Sequence, residues 1–563
     1  MLFELLPLRV ASLGALSLLL ITALWRRYTG KRDRFTANEK HDNAKGVPLT
    51  FPHVFPLLGS LPITYLWKPR DFVLNQTNFF QCAHPVLVKI FTQEFYVIRG
   101  PENIKALFKS SWACTSIPFV KFALGYAFGL PAKALSLYDK DDSGGGHVPH
   151  PGSTVEACNR IDYRVHQSLV RFLEGKRLLP FWNRFADNIT QQLYSLHDHI
   201  GSDWEYRADL MKVVGDEATV SILNALCGPY LLSLNPHFLQ DYWDFDRNLQ
   251  TYLQGIPWFL APRAYAVRMR VLNAVKVWQQ HARDHYSDSA IGADGDDPFW
   301  GSSFFRERHE MFLEMDGFDH AAIASEDFGA IWAARNSITA ASWTIFEIYR
   351  DSKLLASVRA EVDACALKDS DGRIQFDVDQ LLRLPLLQAV YAETLRLRMH
   401  FYIIRMADKV DLNIRDWIIP RRKIVVALTT VAHMDSKAWN TGLNNEHPVD
   451  QFWIGRFLKY PSKSAHDNTQ PHNSASSPTF TTKELEGSWI PYGGGPRQCP
   501  GRHFARRQIL LTTALMISLF DCEILEGGRD VQEDFTLKGF GSGMSYPAGK
   551  VPVRIRCRDR GSM

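Results

Sequence analysis

The chain has 563 residues, of which 46% are hydrophobic and 22% are charged. That length and balance exclude a peptide, a zinc finger and a predominantly disordered chain. The net charge of +4 comes from 64 basic and 60 acidic residues. A nearly balanced charge does not indicate the basic surface of a nucleic-acid-binding protein, so no nucleic-acid partner is expected. The eight cysteines include no Cys-x-x-Cys pair, which argues against a zinc ribbon or a disulfide framework.

Residues 1–28 are predicted to form a membrane anchor. The segment from Leu5 to Trp25 is 21 residues long and is interrupted only by a proline and an arginine. At about 1.5 Å per residue it forms roughly 31 Å of helix, the thickness of a bilayer core. Basic residues from Arg26 onward place the rest of the chain in the cytosol by the positive-inside rule. A cleaved signal peptide is the alternative, but Arg26 and Arg27 stand where a small-residue cleavage site belongs.

Residues 29–62 are basic and rich in proline, which indicates a linker, and residues 63–563 are predicted to form one large domain. Alternating apolar residues between positions 85 and 99 predict two short strands, and the pattern from about 160 to 400 is mostly helical. A glycine-rich loop at 139–153 is expected to be flexible. Because helix dominates and the strands are short, the predicted fold class is mainly α, an α-rich α+β fold with small β-sheets.

The most informative segment runs from Trp489 to Gln508 and reads WIPYGGGPRQCPGRHFARRQ. Its composition is typical of a tight loop that presents a thiolate. Glycines permit backbone conformations and close approaches that a side chain forbids. Backbone N–H groups and the start of the following helix lower the pKa of a thiol such as Cys499. Three other interpretations are an incidental cysteine in a glycine-rich turn, a zinc pair of Cys499 and His503, and a phosphate loop. The zinc pair lacks two further ligands, and no Gly-Lys-Ser/Thr follows the glycines.

The loop resembles the haem-binding loop of the cytochrome P450 superfamily, the haem-thiolate monooxygenases. The family pattern is an aromatic residue followed by Gly-x-Gly-x-Arg-x-Cys-x-Gly. Six residues fill it in register: Tyr492, Gly493, Gly495, Arg497, Cys499 and Gly501. The one departure is tyrosine in place of the usual phenylalanine. The resemblance implies the cytochrome P450 fold around one haem b, with Cys499 as the axial iron ligand and the other five residues in contact with the cofactor.

Other family motifs occur upstream of the cysteine. Glu393 and Arg396 supply the Glu-x-x-Arg pair, which on its own is a weak motif because helices often carry such surface pairs. The resemblance implies that this pair is buried with Arg456, as a structural triad. The segment around Arg456 keeps both phenylalanines of the family motif Phe-x-Pro-Glu-Arg-Phe but lacks its proline and glutamate. Arg405 falls where the family usually has a second propionate-binding arginine.

In the family, the oxygen-activating helix usually carries Ala/Gly-Gly-x-Asp/Glu-Thr. The best register here places Asn336 at the acidic position and Ser337 at the threonine, and the resemblance implies that both are catalytic. Ser337 keeps a hydroxyl for dioxygen or water, whereas Asn336 does not ionise and is limited to orienting a water. Two ordinary polar helix residues are the alternative. An asparagine here resembles the branch that holds the sterol 7-hydroxylases and prostacyclin synthase.

Two expectations concern the surroundings of the haem. The family's Trp-x-x-x-Arg helix is not found between residues 155 and 175. Three candidates for a haem propionate lie there instead: Arg164, His166 and Arg171. By analogy, three segments are expected to line the substrate cavity: residues 117–130, 399–404 and 539–545.

The resemblance implies a monooxygenase that uses O₂ to oxidise an apolar small molecule: a sterol, a terpenoid or a polyketide, as in secondary metabolism. It also implies an NADPH-cytochrome P450 reductase as electron donor, contact with membrane lipid and an endoplasmic reticulum location. Candidates for the reductase-docking patch are Arg502, Arg506 and Arg507. Two alternatives stay open. One is a haem-thiolate isomerase or dehydratase of a peroxide substrate, which Asn336 motivates, and the other is a non-catalytic haem-binding carrier or sensor.

Overall fold

The computed structural model describes residues 46, 48–51, 68–78, 84–90, 93–460 and 478–559. The predicted membrane anchor and most of the predicted linker lie outside these residues. Among the helices of the described ranges, none combines the length and the hydropathy that a membrane span requires. The seven cysteines that the structure describes are all free.

Helices dominate the described chain, which confirms the predicted helix-rich class. In chain order they are α1 (Pro69–Asn78), α2 (Pro101–Lys109), α3 (Ile117–Tyr126), α4 (Ala132–Lys140), α5 (Ile161–Leu173), α6 (Leu178–Ile200), α7 (Leu210–Cys227), α8 (Tyr230–Leu234), α9 (Phe238–Arg247), α10 (Leu249–Leu253), α11 (Pro262–His285), α12 (Ser303–Leu313), α13 (His320–Trp332), α14 (Arg335–Arg350), α15 (Ser352–Asp363), α16 (Val378–Leu381), α17 (Pro385–Arg398), α18 (Thr429–His433) and α19 (Arg502–Leu519). Many of their first turns have an identifiable start. Proline occupies the first turn of α2, α11 and α17, and aspartate side chains cap α7, α13 and α15.

The strands form small sheets, as predicted. They are β1 (Leu49–Thr50), β2 (Val86–Ile90), β3 (Gln93–Ile98), β4 (Cys114–Thr115), β5 (Glu205–Arg207), β6 (Ala366–Lys368), β7 (Ile374–Phe376), β8 (Met399–Ala407), β9 (Leu412–Ile414), β10 (Trp417–Ile419), β11 (Ile424–Leu428), β12 (Leu458–Lys459), β13 (Thr479–Phe480), β14 (Phe520–Ile524), β15 (Ser542–Met544) and β16 (Val553–Cys557). The largest sheet has the order β1-β2-β3-β11-β8-β15, with β4 also paired to β8. It is mixed, because β1 runs parallel to β2 and β3 parallel to β11, while the other pairs are antiparallel. A second sheet joins β14, β16 and β5, and three two-stranded sheets complete the set.

The long helical pattern that contains Ser337 is broken between α13 and α14. Trp332 ends α13, and the indole N–H of this residue donates to the Asp246 carboxylate at 2.6 Å. Arg335 begins α14 and lies 2.9 Å from the same carboxylate, which is fully buried. Tyr546, from the chain segment after β15, donates to it as well. Asp246 therefore fixes the break from outside the helix, and α14 continues through the core with nearly every residue buried.

Glu393, Arg396 and Arg456 form a buried cluster that ties α17 to the segment before β12. The side chains of all three are inaccessible to solvent. Glu393 accepts from Arg396 at 2.6 and 2.8 Å, from Arg456 at 3.2 Å and from the Trp453 backbone N–H at 2.9 Å. Arg456 also donates to the Pro448 carbonyl at 2.6 Å. Backbone groups thus satisfy the cluster even though the family's usual glutamate and proline are missing.

A second buried network joins α14, β8 and the chain after β14. Arg398 donates to Glu533 at 2.7 Å and also pairs with Glu347. Glu533 further bonds to His400 at 2.8 Å and accepts from the Ser545 hydroxyl. Burial alone would raise the pKa of Glu533, but Arg398 and His400 outweigh it and lower this pKa to about 2. The network therefore holds a charged carboxylate deep in the protein.

Replacing Glu393 by glutamine should destabilise the fold severely. The two buried guanidinium groups would lose their shared counter-charge, which costs about 3–5 kcal/mol of unfolding free energy. We expect a lower thermal midpoint and poor retention of haem, both measured on the purified full chain. The control is Glu102→Gln, which removes an exposed pair with Lys105 at the same spacing of three residues. This control should leave the midpoint unchanged, and an equal effect of the two variants would contradict the account.

Stability should also depend on pH through Glu533. Below about pH 4.5 the unfolded chain binds a proton at this residue, whereas the folded chain does not until about pH 2. The carboxylate therefore stabilises the fold fully above this window, and the stabilisation is lost as the pH falls, at about 1.4 kcal/mol per unit. In Glu533→Gln we expect a lower thermal midpoint at pH 7 and a shallower decline between pH 5 and 3. Glu523→Gln, which breaks an exposed pair with Arg554, serves as control. Parallel pH profiles of wild type and Glu533→Gln would refute the assignment.

Candidate functional site

The cysteine loop lies between a turn of 3₁₀ helix at Gly495–Arg497 and the start of α19. The backbone N–H of Cys499 donates to the Tyr492 carbonyl at 3.0 Å, which closes the loop. Gly493 and Gly495 both have φ of +69°, a region that favours glycine. At Gly494, a Cβ atom would lie 2.2 Å from the ring of Phe108. The three consecutive glycines are thus required by conformation and by close packing.

The Cys499 side chain is exposed to an open cavity, and the protein around that cavity still desolvates its sulfur. Burial raises the pKa of the Cys499 thiol, and the backbone N–H groups of Gly501 and Arg502 and the Arg502 charge lower it only in part. The donors predicted from the sequence are present, but desolvation outweighs them. Binding of a cation, such as a metal, would therefore favour the thiolate form of this sulfur.

The cavity has a volume of about 420 Å³. Its walls come from α5, α6, α7, α12, α13, α14, β8, the cysteine loop and α19, and most of its side chains are apolar. Representative wall residues are Leu173, Ile222, Ala330, Met399, Ile403 and Phe504. The polar side chains that reach it are Cys499, Arg405, Arg497, Asn336, Ser337 and Tyr492. The arrangement fits a flat apolar ligand with a metal at the sulfur and anionic groups at the arginines.

Arg405 and Arg497 both reach this cavity, and the carboxylates near them do not neutralise both positive charges. Arg497 lies 2.5 Å from Asp162. None of the ion pairs in the described ranges involves Arg405, which donates to the Ile404 carbonyl at 2.9 Å. Burial and the neighbouring Arg497 both lower the pKa of Arg405. Two arginines and one carboxylate leave room for an anionic ligand, and haem b brings two propionates, so the residues present fit this cofactor.

Asn336 and Ser337 lie at the start of α14, where the helix is broken. The Ser337 hydroxyl contacts the Ala334 carbonyl at 2.9 Å and the Gln508 carboxamide oxygen at 2.5 Å. One hydroxyl hydrogen serves one acceptor, so these two contacts compete for the proton. The Asn336 carboxamide oxygen accepts from Arg335 at 2.8 Å and from the Met544 backbone N–H at 2.9 Å. Both residues are therefore held by protein groups while they line the cavity.

Tyr492, the departure from the usual phenylalanine, also has a partner. The hydroxyl groups of Tyr492 and Tyr391 lie 2.8 Å apart. Burial raises the pKa of Tyr391 to about 12 and that of Tyr492 well above its ordinary value. Tyr391 lies on α17, two residues before Glu393, so the extra hydroxyl joins the cysteine loop to the helix of the buried triad.

The structure separates the other predicted candidates. Arg164 pairs with Glu314 and lines a surface pocket together with Arg171, away from the sulfur. His166 faces the cysteine loop. Of the three segments expected at the substrate cavity, residues 399–404 line it, and the other two contribute no wall residue. Within the described ranges no three metal-binding side chains lie together, so the zinc alternative finds no ligand set.

Sequence reasoning missed four residues that support the site: Asp162, Asp246, Tyr391 and Gln508. Asp162, Tyr391 and Gln508 each contact a site residue that lies far away in the chain. Asp246 instead holds the helix break just before Asn336 and Ser337. No local pattern marks any of the four. Gln508 is fully buried on α19 and pairs with Ser337 across 171 positions. Only Tyr391 had an indirect signal, since the hydroxyl of Tyr492 called for a buried partner.

The chain is similar to known proteins of one family. The model of the family "Cytochrome P450" matches residues 311–547. A cytochrome P450 monooxygenase of Hormonema carpetanum, efuG, is 31% identical, covering 96% of this chain and 95% of that protein. A second such monooxygenase, fsoE of Humicola fuscoatra, is 30% identical over 91% of this chain and 88% of its own length. Cholesterol 7-alpha-monooxygenase of Cricetulus griseus is 25% identical over about half of each chain, 51% and 53%.

The fold matches as well. The crystal structure of the cytochrome P450DA haem domain superposes with a TM-score of 0.63, at 15% identity, covering 92% of this chain and 99% of that chain. Members of the family bind haem b through a cysteine thiolate, as the cavity at Cys499 allows. The chain belongs to the cytochrome P450 family of haem-thiolate monooxygenases.

Proposed function

We propose that this protein is a membrane-anchored monooxygenase that inserts one oxygen atom of O₂ into an apolar substrate, with electrons from an NADPH-cytochrome P450 reductase. The observation that carries the proposal is the apolar cavity that has the Cys499 sulfur and the two arginines, Arg405 and Arg497, in its wall. When bound there, haem supplies the activation of dioxygen. The protein supplies the ligand, the orientation, the exclusion of water and the placement of the substrate.

The residues of the chain divide these tasks. Cys499 would hold the metal, and Arg405 and Arg497 would orient the cofactor through its propionates. The Ser337 hydroxyl donates its hydrogen to either the Ala334 carbonyl or the Gln508 carboxamide oxygen. The oxygen of this hydroxyl therefore still has a lone pair that accepts a hydrogen bond from a water in the cavity. The apolar walls exclude bulk water, which favours oxidation of the substrate over loss of reducing equivalents to solvent.

The proposed substrate is a sterol, a terpenoid or a polyketide. Apolar walls from several elements surround the cavity, and the polar side chains that reach it are engaged by other protein groups or face the cofactor. One relative is named for the 7α-oxidation of cholesterol, and two more similar relatives are named as fungal monooxygenases. The first of these names supports a sterol among the candidate substrates, and the other two names state no substrate.

A membrane-facing surface is proposed at the loop between α10 and α11. Trp258, Phe259 and Leu260 are consecutive there, with exposed fractions of 67%, 62% and 69%. Three consecutive large apolar side chains in water favour contact with lipid, and tryptophan prefers the membrane interface. This surface would act together with the anchor predicted at residues 1–28.

The reductase is proposed to dock near the start of α19. Arg502 donates to the Cys499 carbonyl at 3.0 Å and pairs with Glu174 at 2.5 Å, so a basic side chain lies directly beside the cysteine loop. Arg506 and Arg507 follow on the same helix. Of the alternatives, the peroxide isomerase retains one supporting observation, the non-ionising Asn336. The names of the relatives favour the monooxygenase, and turnover that depends on NADPH would separate the two.

Haem-thiolate ligation is tested by the absorption spectrum of the reduced carbon monoxide complex. The wild-type protein should show the red-shifted band of a thiolate ligand, and Cys499→Ala should abolish it, because no sulfur then reaches the iron. Cys158→Ala removes a half-buried cysteine outside the cavity wall and should keep the band. A red-shifted band that persists in Cys499→Ala would exclude the proposed site.

Membrane contact of the loop between α10 and α11 is tested by tryptophan fluorescence of the full chain in vesicles that contain brominated lipid. Bromine quenches tryptophan at short range, so Trp258 should contribute a quenched component that Trp258→Phe lacks. Trp112→Phe removes another strongly exposed tryptophan, 72% accessible, and should leave this component in place. Equal quenching in wild type and Trp258→Phe would contradict the proposed surface.

A further inference from the structure

Helix α5 presents Asp162 and His166 one turn apart, on the side that faces the cysteine loop. Residues four apart in a helix lie on one face. The Asp162 carboxylate lies 2.5 Å from the Arg497 guanidinium, and only about a tenth of its side chain is exposed. The expected Trp-x-x-x-Arg pattern is absent from this helix, and Asp162-x-x-x-His166 has the same spacing.

His166 contacts the residue immediately before Arg497. Its imidazole lies beside the Pro496 carbonyl, and burial together with the nearby Arg497 lowers the pKa of His166. On α5, Asp162 therefore contacts the side chain of Arg497, and His166 lies at the backbone of the preceding residue, Pro496. A guanidinium that is paired with Asp162 has less freedom to turn away from a ligand.

The loop between α4 and α5 covers the ion pair of Asp162 and Arg497. At Gly145, a Cβ atom would lie 1.5 Å from the guanidinium and 2.7 Å from the carboxylate, so only glycine fits against the pair. Arg160 ties this loop down by donating to the Gly146 carbonyl at 2.5 Å and to the His147 carbonyl at 2.8 Å. Shielded from water, the pair interacts more strongly than an exposed one.

With a haem bound, Asp162 would leave this end of the cavity with one negative charge in excess. Arg405 and Arg497 bring two positive charges, and Asp162 lies close enough to both to act on them. Two haem propionates would neutralise the arginines, and the Asp162 carboxylate would then remain as an additional negative charge near the cofactor. A negative charge there disfavours the addition of an electron to the iron and so lowers the reduction potential.

We propose that Asp162 and His166 are positioning residues that hold Arg497 towards a haem propionate, and that Asp162 in addition lowers the reduction potential of the haem. The proposal rests on haem binding at the cavity, as described under the proposed function. It assigns to α5 a role that no motif in this helix indicated.

The experiment uses the haem-loaded full chain and its variants Asp162→Asn, Asp162→Ala and His166→Leu. Two quantities are measured: the reduction potential, by spectroelectrochemical titration, and the rate of haem transfer to excess apomyoglobin. Asp162→Asn keeps an oxygen that accepts from Arg497 but removes the charge, so the potential should become more positive while haem release stays within about twofold of wild type. Asp162→Ala also removes the acceptor, and His166→Leu frees the Pro496 carbonyl. Both should release haem about tenfold faster or more.

The matched control is Glu314→Gln, which breaks an ion pair of the same helix α5, with Arg164, away from the cavity. It should change neither quantity. A purely structural role of Asp162 predicts an unchanged potential in Asp162→Asn, and that result would overturn the proposal. Wild-type haem release from both Asp162→Ala and His166→Leu would overturn it too. In either case, a red-shifted carbon monoxide band in all variants shows that the thiolate ligation of the haem is intact. Absence of this band from the wild-type protein would instead mean that the proposed function has failed.

Discussion

A cysteine sulfur placed in a desolvated cavity is the constraint on which the rest of the structure depends. Burial raises the pKa of the Cys499 thiol, and neighbouring N–H groups compensate only in part. A metal cation would favour the thiolate form of this sulfur, and Arg405 and Arg497 in the wall of the same cavity favour an anionic ligand. Haem b meets both demands at once, because it has a metal at its centre and two carboxylates at its edge. The glycine loop, the apolar walls and the arginines are therefore complementary parts of one cofactor site.

Buried acids hold the elements around this cavity in place. Asp246 fixes the break between α13 and α14, Glu393 ties α17 to the chain before β12, and Glu533 joins β8 to the chain after β14. Each carboxylate accepts from at least two donors of different segments. A buried charge is tolerated only with such partners, and removal of one partner leaves the others unpaired in a medium of low dielectric. The site thus depends on residues that never touch the ligand.

The sequence predicted the parts of the molecule that local pattern determines. The helix-rich class, the strands near residues 85–99 and the helix after Cys499 all follow from periodicity, proline and glycine. The sequence alone did not predict Asp162, Asp246 or Gln508, because their partners lie far along the chain and nothing in their own segments distinguishes them from surface residues. The loop at 139–153, expected to be flexible, is tied down by Arg160, which donates to the Ser143 hydroxyl and to two backbone carbonyls of the loop.

The most direct measurement of the central claim is a crystal structure of the haem-bound protein. The account predicts iron bonded to the Cys499 sulfur, with propionates in contact with Arg405 and Arg497. Iron bonded through a histidine nitrogen, or propionates directed away from both arginines, would contradict it.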